Sequence, residues 1–170
     1  ILDGGPCENG LESTIIDCSG EAPVLLRPGG ISRGAIETAL HSAGLHCWVA
    51  DAAALSDRFQ PVAPGQLQSH YAPDASVRLN ATSQQGDEEL IGFGPIPGAG
   101  ELSLSLSQRG NIKEAAANLF SMLHQANAVT TGTNRRIAIA PIPKDGIGEA
   151  INDRLQRAAA PRNAPPGATK

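Results

Sequence analysis

"RRIAIAPIPKDGIGEAINDRLQRAAA", residues 135–160, reads as a strand, a loop and a helix in unbroken succession. IAIA is an apolar run of the kind that fills a buried strand. In the helix, Ile151, Leu155 and Ala158 recur at helical spacing, which predicts that they face inward. The loop brings a helix N-terminus to a strand end, a geometry that can hold an anion. Its two glycines form neither a GxGxxG fingerprint nor a P-loop, so an ordinary turn is the competing reading.

Upstream, the same alternation continues. SVRLNA (76–81), ELIGFGP (89–95) and LSLSL (102–106) are strand candidates. The period-two alternation of LSLSL predicts one polar face. Asn111 is placed to cap a helix, with Glu114 at the capping-box position. Ile112, Ala115, Ala116, Leu119, Phe120 and Leu123 form a sustained apolar stripe. Strands alternating with helices over 76–160 predict a Rossmann-like α/β domain with a mainly parallel sheet.

Residues 1–49 have a different content. STIID (13–17) and PVLLRP (23–28) are short strand candidates joined by the turn residues SGEAP. A helix follows, with Ser32 as N-cap, Ile31 and Ile36 spaced as a hydrophobic staple, and Gly44 as the stop. Ile36, Ala39, Leu40 and Ala43 share one face. These elements are too few to bury both faces of a sheet, so they are expected to close a domain begun elsewhere or to pack on the rest of the chain. ILDGGP, at residues 1–6, reads as a strand end entering a turn, and the chain is expected to be the C-terminal part of a longer protein. Residues 50–75 read as a linker and 161–170 as a flexible tail.

Composition bounds the rest. The chain has 170 residues, 41% hydrophobic but only 3% aromatic, with a formal net charge of −4. Its core must be built from Ala, Leu, Ile and Val. The negative balance argues against a broad nucleic-acid footprint, so direct nucleic-acid binding is not expected. No apolar run approaches the roughly 20 residues of a membrane span, and no signal-peptide pattern opens the chain. Cys7, Cys18 and Cys47 are widely spaced and form no CxxC pair, which suits thiols in a reducing cytoplasm. His41, His46 and His124 show no ligand spacing. The basic cluster NRR (134–136) is expected to be solvated.

Three further stretches carry candidate chemistry. In GLESTIID (10–17), Ser13 and Thr14 stand at the mouth of a strand and can offer hydroxyl and backbone N–H groups to a polar ligand. Ordinary turn chemistry is the alternative. In LLRPG (25–29), Arg27 should emerge at a strand end, where a guanidinium can clamp phosphate or carboxylate; a surface salt bridge is the alternative. In PGQLQSHYAP (64–73), prolines bracket His70 and Tyr71, the only tyrosine of the chain. The ring can cover a ligand or merely anchor a linker.

Taken in order, DGGPCENGLESTIID, LLRPGGI, APGQLQSHYAP and PIPKDGIGEAINDRLQRAAAPR resemble the L-threonylcarbamoyladenylate synthase family in its two-domain form, a YrdC-like domain followed by an extra C-terminal domain. The SHYAP linker motif is the most diagnostic, because single-domain YrdC proteins lack it. Gln66 departs from the apolar residue expected there. The basic nucleotide motif and the Ser-Ala-Asn motif that begin the family's catalytic domain do not occur in this chain.

The resemblance implies a nucleotidyltransferase that joins L-threonine, bicarbonate and ATP into threonylcarbamoyl-adenylate and pyrophosphate, for threonylcarbamoyladenosine modification of tRNA. It implies that Ser13, with Thr14 beside it, contacts L-threonine. It places Arg27 and Tyr71 at ATP, with His70 adjacent and magnesium sharing the phosphate charge. It further implies that residues 1–49 are the remnant of the catalytic domain, that the linker acts as a lid, and that this chain alone is inactive. A non-catalytic RNA-binding or regulatory module on the same scaffold is the competing reading, and a generic dinucleotide domain lacks its glycine fingerprint.

Overall fold

A computed structural model of the chain describes residues 5, 9–51, 72–97 and 104–161. Two sheets organise these residues. The first has the order β1-β2-β3, formed by β1 (Ile15–Asp17), β2 (Val24–Arg27) and β3 (Ala50–Asp51). β1 runs antiparallel to β2, and β3 is parallel to β2. Helix α1 (Arg33–Ser42) connects β2 to β3. Ala50 and Asp51, which composition placed in the linker, thus pair with β2.

Local sequence sets the ends of α1. The Ser32 hydroxyl accepts from the Ala35 N–H. At the other end Gly44 has φ +79°, the Leu45 N–H donates to the Leu40 carbonyl, and the Gly44 N–H donates to the His41 carbonyl. That pair of bonds is the Schellman stop that glycine favours. The expected apolar face of α1 is not enclosed: no residue of the helix is buried, and Ile31, the expected staple, is 61% exposed.

The second sheet has four parallel strands in the order β4-β7-β5-β6. These are β4 (Val77–Arg78), β5 (Glu89–Phe93), β6 (Leu104–Ser107) and β7 (Ile137–Ile139). The predicted α/β fold with a parallel sheet is borne out. Helix α2 (Ile112–Thr130) links β6 to β7, and α3 (Gly148–Ala159) follows β7. Alternation along β7 divides the sheet's two faces. Ile137 and Ile139 join Ala115, Leu119, Leu123, Ile151 and Leu155 in the main core. Ala138 lies in a smaller cluster with Leu90 and Ala81.

The polar positions of β6 take a role that alternation alone does not predict. Ser107 is buried. Its hydroxyl donates to Glu114 at 2.7 Å and accepts from the Asn111 N–H at 2.9 Å. Asn111 itself accepts from the N–H groups of Lys113 and Glu114. The capping box at the start of α2 is therefore relayed through a buried serine, which satisfies the helix's first donors without water.

Charge is also neutralised inside the second sheet. Buried Glu88 accepts from Arg78 through Nε at 2.9 Å and Nη2 at 2.5 Å, and Arg136 stands 3.3 Å away. Arg135 donates to Glu89 at 2.7 Å and to the Asp87 carbonyl. The expected solvated basic cluster is thus an ion-paired one, because two acidic residues at the start of β5 face it. The Arg78 hydrogen bond, ahead of every other cause, holds the Glu88 carboxyl below its ordinary range.

A group with a depressed folded-state pKa adds stability above its unfolded pKa and loses it as pH falls through the folded one. Glu88→Gln should therefore lower the urea midpoint at pH 7. The gap from the parent should close as pH falls below the ordinary glutamate range. Denaturation curves at pH 7, 5 and 3.5 check this; a gap that persists undiminished at the acid end would contradict it.

Candidate functional site

Ser13, Thr14 and Arg27 come together at the β1–β2 pair. Arg27 ends β2, opposite Ile15 in register. It is 8% exposed. Its Nε and Nη2 donate to the Ser13 carbonyl at 3.1 and 3.0 Å, and Nη2 also donates to the Ser13 hydroxyl at 3.1 Å. The planar fork thus spans the backbone and side chain of one residue, a geometry that lysine cannot reproduce. Ser13 itself is exposed, so the hydroxyl held by Arg27 lies at the surface.

Thr14 serves the same junction differently. Its hydroxyl donates to the Ile31 carbonyl at 2.6 Å and accepts from the Ile31 N–H at 3.1 Å. This reciprocal pair ties β1's approach to the turn after β2. The Gly30 N–H adds a bond to the Glu12 carbonyl at 3.1 Å. Gly29 makes the closeness possible: a Cβ there would lie 2.4 Å from both the Glu12 oxygen and the Thr14 nitrogen. His70 and Tyr71 lie outside the described residues.

Two arginines absent from the sequence-based candidates join this junction to the second sheet. Arg154 of α3 is completely buried. Its Nε donates to Glu12 at 2.8 Å and its Nη2 to the Pro28 carbonyl at 3.1 Å. Arg33, the first residue of α1, donates to Glu149 at 2.8 Å, to the Val49 carbonyl and to Asp51. A cation at a helix N-terminus opposes the helix dipole, and these acids offset that. The Glu149 hydrogen bond is the main cause that raises the Arg33 pKa above its ordinary value. Arg154 had one legible signal: it interrupts the Ile151, Leu155, Ala158 stripe at a helical position that faces the core.

The loop before α3 is a turn rather than an open anion cradle. The N–H groups of Gly148, Glu149 and Ala150 donate to the carbonyls of Asp145, Gly146 and Ile147. Glu149 adds a carboxylate to the helix's first turn. A Cβ on Gly148 would sit 2.1 Å from the Pro143 oxygen, so this glycine serves close packing. Among the described residues, no group of three His, Cys, Asp or Glu is placed to hold a metal ion.

The family described as "Threonylcarbamoyl-AMP synthase, C-terminal domain" matches residues 31–160. The chain belongs to the threonylcarbamoyl-AMP synthase family. It is 31% identical to the threonylcarbamoyl-AMP synthase of Bacillus subtilis over 177 residues, covering 95% of this chain and 49% of the relative. Against the Pyrococcus abyssi enzyme of the same name it is 31% identical, covering 94% of this chain and 48% of the relative. The chain thus spans about half the length of the curated relatives it matches. The crystal structure of P. abyssi Sua5 complexed with L-threonine is similar at a TM-score of 0.68 and 27% identity, over 92% of this chain and 48% of that one. A P. abyssi Sua5 structure with a His-Tyr pair replaced by alanines matches at a TM-score of 0.66 and 25% identity, over 92% of this chain and 47% of that one.

The close approach at Gly29 makes a direct test of the junction. Gly29→Ala drives a methyl group into backbone atoms that cannot swing aside. It should cost about 1–3 kcal/mol or more. Gly34→Ala, with nothing within 4 Å of the added carbon, is the control and should be nearly neutral or stabilising. Urea melts of both variants compare them; equal midpoints would refute the role of Gly29.

Proposed function

We propose that this chain is part of a threonylcarbamoyl-AMP synthase acting in tRNA modification. L-threonine and bicarbonate condense to a carbamate with loss of water. A carbamate oxygen then attacks the α-phosphorus of ATP, the bond to the β-phosphate bridge breaks, and pyrophosphate leaves. The observation that carries this reading is the Ser13–Arg27 pair, a surface hydroxyl held 3.1 Å from a buried guanidinium at a strand end in a member of this family.

In this reading Ser13 contacts L-threonine, supported by the L-threonine bound to a structural relative. Thr14 fixes the approach of that strand through Ile31. Arg27 faces ATP, where negative charge moves onto the departing pyrophosphate and a fixed cation is most useful. Tyr71, with His70 beside it, covers the nucleotide and shields water-labile intermediates. The alanine replacement of a His-Tyr pair in a relative's structure supports attention to His70–Tyr71, which holds the chain's only tyrosine. Magnesium would come with the phosphates of ATP, as it commonly does. The division into 1–49, a linker at 50–75, 76–160 and a tail belongs to the same proposal, as does a cytoplasmic setting; no helix among the described residues is long and apolar enough to cross a membrane. An RNA-binding module is less well supported, since Arg135 and Arg136 are matched by Glu89 and Glu88.

The test uses a chimera in which these residues replace the matching part of the B. subtilis relative. Pyrophosphate release should require L-threonine, bicarbonate and ATP together, and the 170-residue chain alone should give none. Arg27→Lys should raise the KM for ATP on the order of tenfold, the loss expected for a charge-assisted hydrogen bond. Tyr71→Ala should do likewise, and Tyr71→Phe separates ring stacking from the hydroxyl. A folded chimera whose pyrophosphate release ignores L-threonine would overturn the reading.

A further inference from the structure

We propose that Arg154 is a positioning residue for the Ser13–Arg27 pair, acting from helix α3 of the second sheet. This deepens the function proposed above and rests on it for its catalytic purpose. Glu12 immediately precedes Ser13, and Pro28 immediately follows Arg27. Arg154 reaches both neighbours with one planar group, Nε to Glu12 at 2.8 Å and Nη2 to the Pro28 carbonyl at 3.1 Å. It therefore fixes the separation of the two segments that Arg27 spans from the other side, through Ser13.

The remaining direction of the fork is also held. Arg154 Nη1 donates to Asp153, and Asp153 accepts from Arg157 at 2.9 Å. Glu12, Asp153, Arg154 and Arg157 form a neutral set in which the guanidinium plane has little freedom to turn. Helix packing alone does not call for this. The position lies on the stripe of Ile151, Leu155 and Ala158, where an apolar residue of similar volume would pack. Replacing a buried ion pair with apolar groups is often neutral or stabilising. What an apolar residue cannot supply is direction, a fixed donor toward Glu12 and another toward Pro28.

The experiment separates stability from position. Arg154→Met and the double variant Arg154→Met/Glu12→Gln are prepared in the 170-residue chain. The double variant leaves no uncompensated carboxylate and should melt within a few degrees of the parent. Its Arg27 Nε–H resonance should nevertheless shift. Exchange of the Gly30 and Ile31 amides should quicken by about tenfold or more, while amides of the β4-β7-β5 ladder keep their protection. Arg154→Lys, which retains charge but not the fork, should restore only part of the effect. Arg33→Met breaks a second ion-paired link between the two parts, to Glu149, and should leave the Arg27 resonance in place. In the chimera, the double variant should raise the KM for L-threonine by about tenfold with a smaller change in kcat. A folded double variant with unmoved Arg27, Gly30 and Ile31 signals overturns the proposal. A parent chimera indifferent to L-threonine would instead overturn the function proposed above, and the NMR signals would still decide the role of Arg154.

Discussion

A guanidinium shut away from water must have its donors answered by protein, because an unpaired buried charge costs several kcal/mol. Arg154 is such a group, and its partners lie on both sides of the boundary between the two sheets. Glu12 and the Pro28 carbonyl come from the segments that lead into β1 and out of β2, and Asp153 from its own helix. Arg33, at the start of α1, reciprocates by sending a cation to Glu149 at the start of α3. The two links act at different places on α3, Glu149 in its first turn and Arg154 in its second. Together they restrain rotation of the helix against the β1–β2 pair as well as its separation. The orientation of the candidate site is thus tied to a helix that contributes none of its predicted contact residues.

Absent side chains matter as much as charged ones at this junction. Gly10, Gly29 and Gly148 each stand where a Cβ would come within 3 Å of a backbone oxygen. None of the three has a positive φ, so backbone freedom is not what they supply. They supply closeness: Gly10 against α2, Gly29 against residues 12–14, and Gly148 against the loop at Pro143. Such contacts let strands and helices approach without an intervening layer of side chains.

The parallel sheet and its helices were legible in the sequence because period and capping agree there. Asn111, the apolar stripe of α2, and the run from Ile137 to Ala158 all point to one architecture. Ser107 was not legible in its role, since alternation marks a serine as polar without saying that a buried cap will use it. Ser13, Thr14 and Arg27 were legible as candidates, and the structure brings them together. Their support was not. Glu12 and Arg154 are 142 residues apart, and no local pattern announces such a pair. Gly29 stood in a Pro-Gly turn, where turn chemistry explains the glycine well enough to hide its packing role. The exposed face of α1 shows the converse: its period was correct, yet periodicity gives a face and not the surface that covers it.

The order of contacts along residues 10–13 shows how the second sheet controls a hydroxyl on the first. Gly10 lies against the backbone of Ala116 and Ala117 in α2. Leu11 packs on the main core of the parallel sheet. Glu12 takes the hydrogen bond from buried Arg154 in α3. Ser13 then turns out to the surface under the hand of Arg27. Three consecutive anchors, each of a different physical kind, precede the one residue that faces solvent. Close backbone approach tolerates no added atom, core packing tolerates little change of volume, and a buried ion pair tolerates little change of direction. A chain held in succession by these constraints leaves its next side chain few places to go. Under the proposed function, in which an amino acid is set beside a nucleotide, that restriction is useful, since catalysis by positioning falls steeply with small errors of placement.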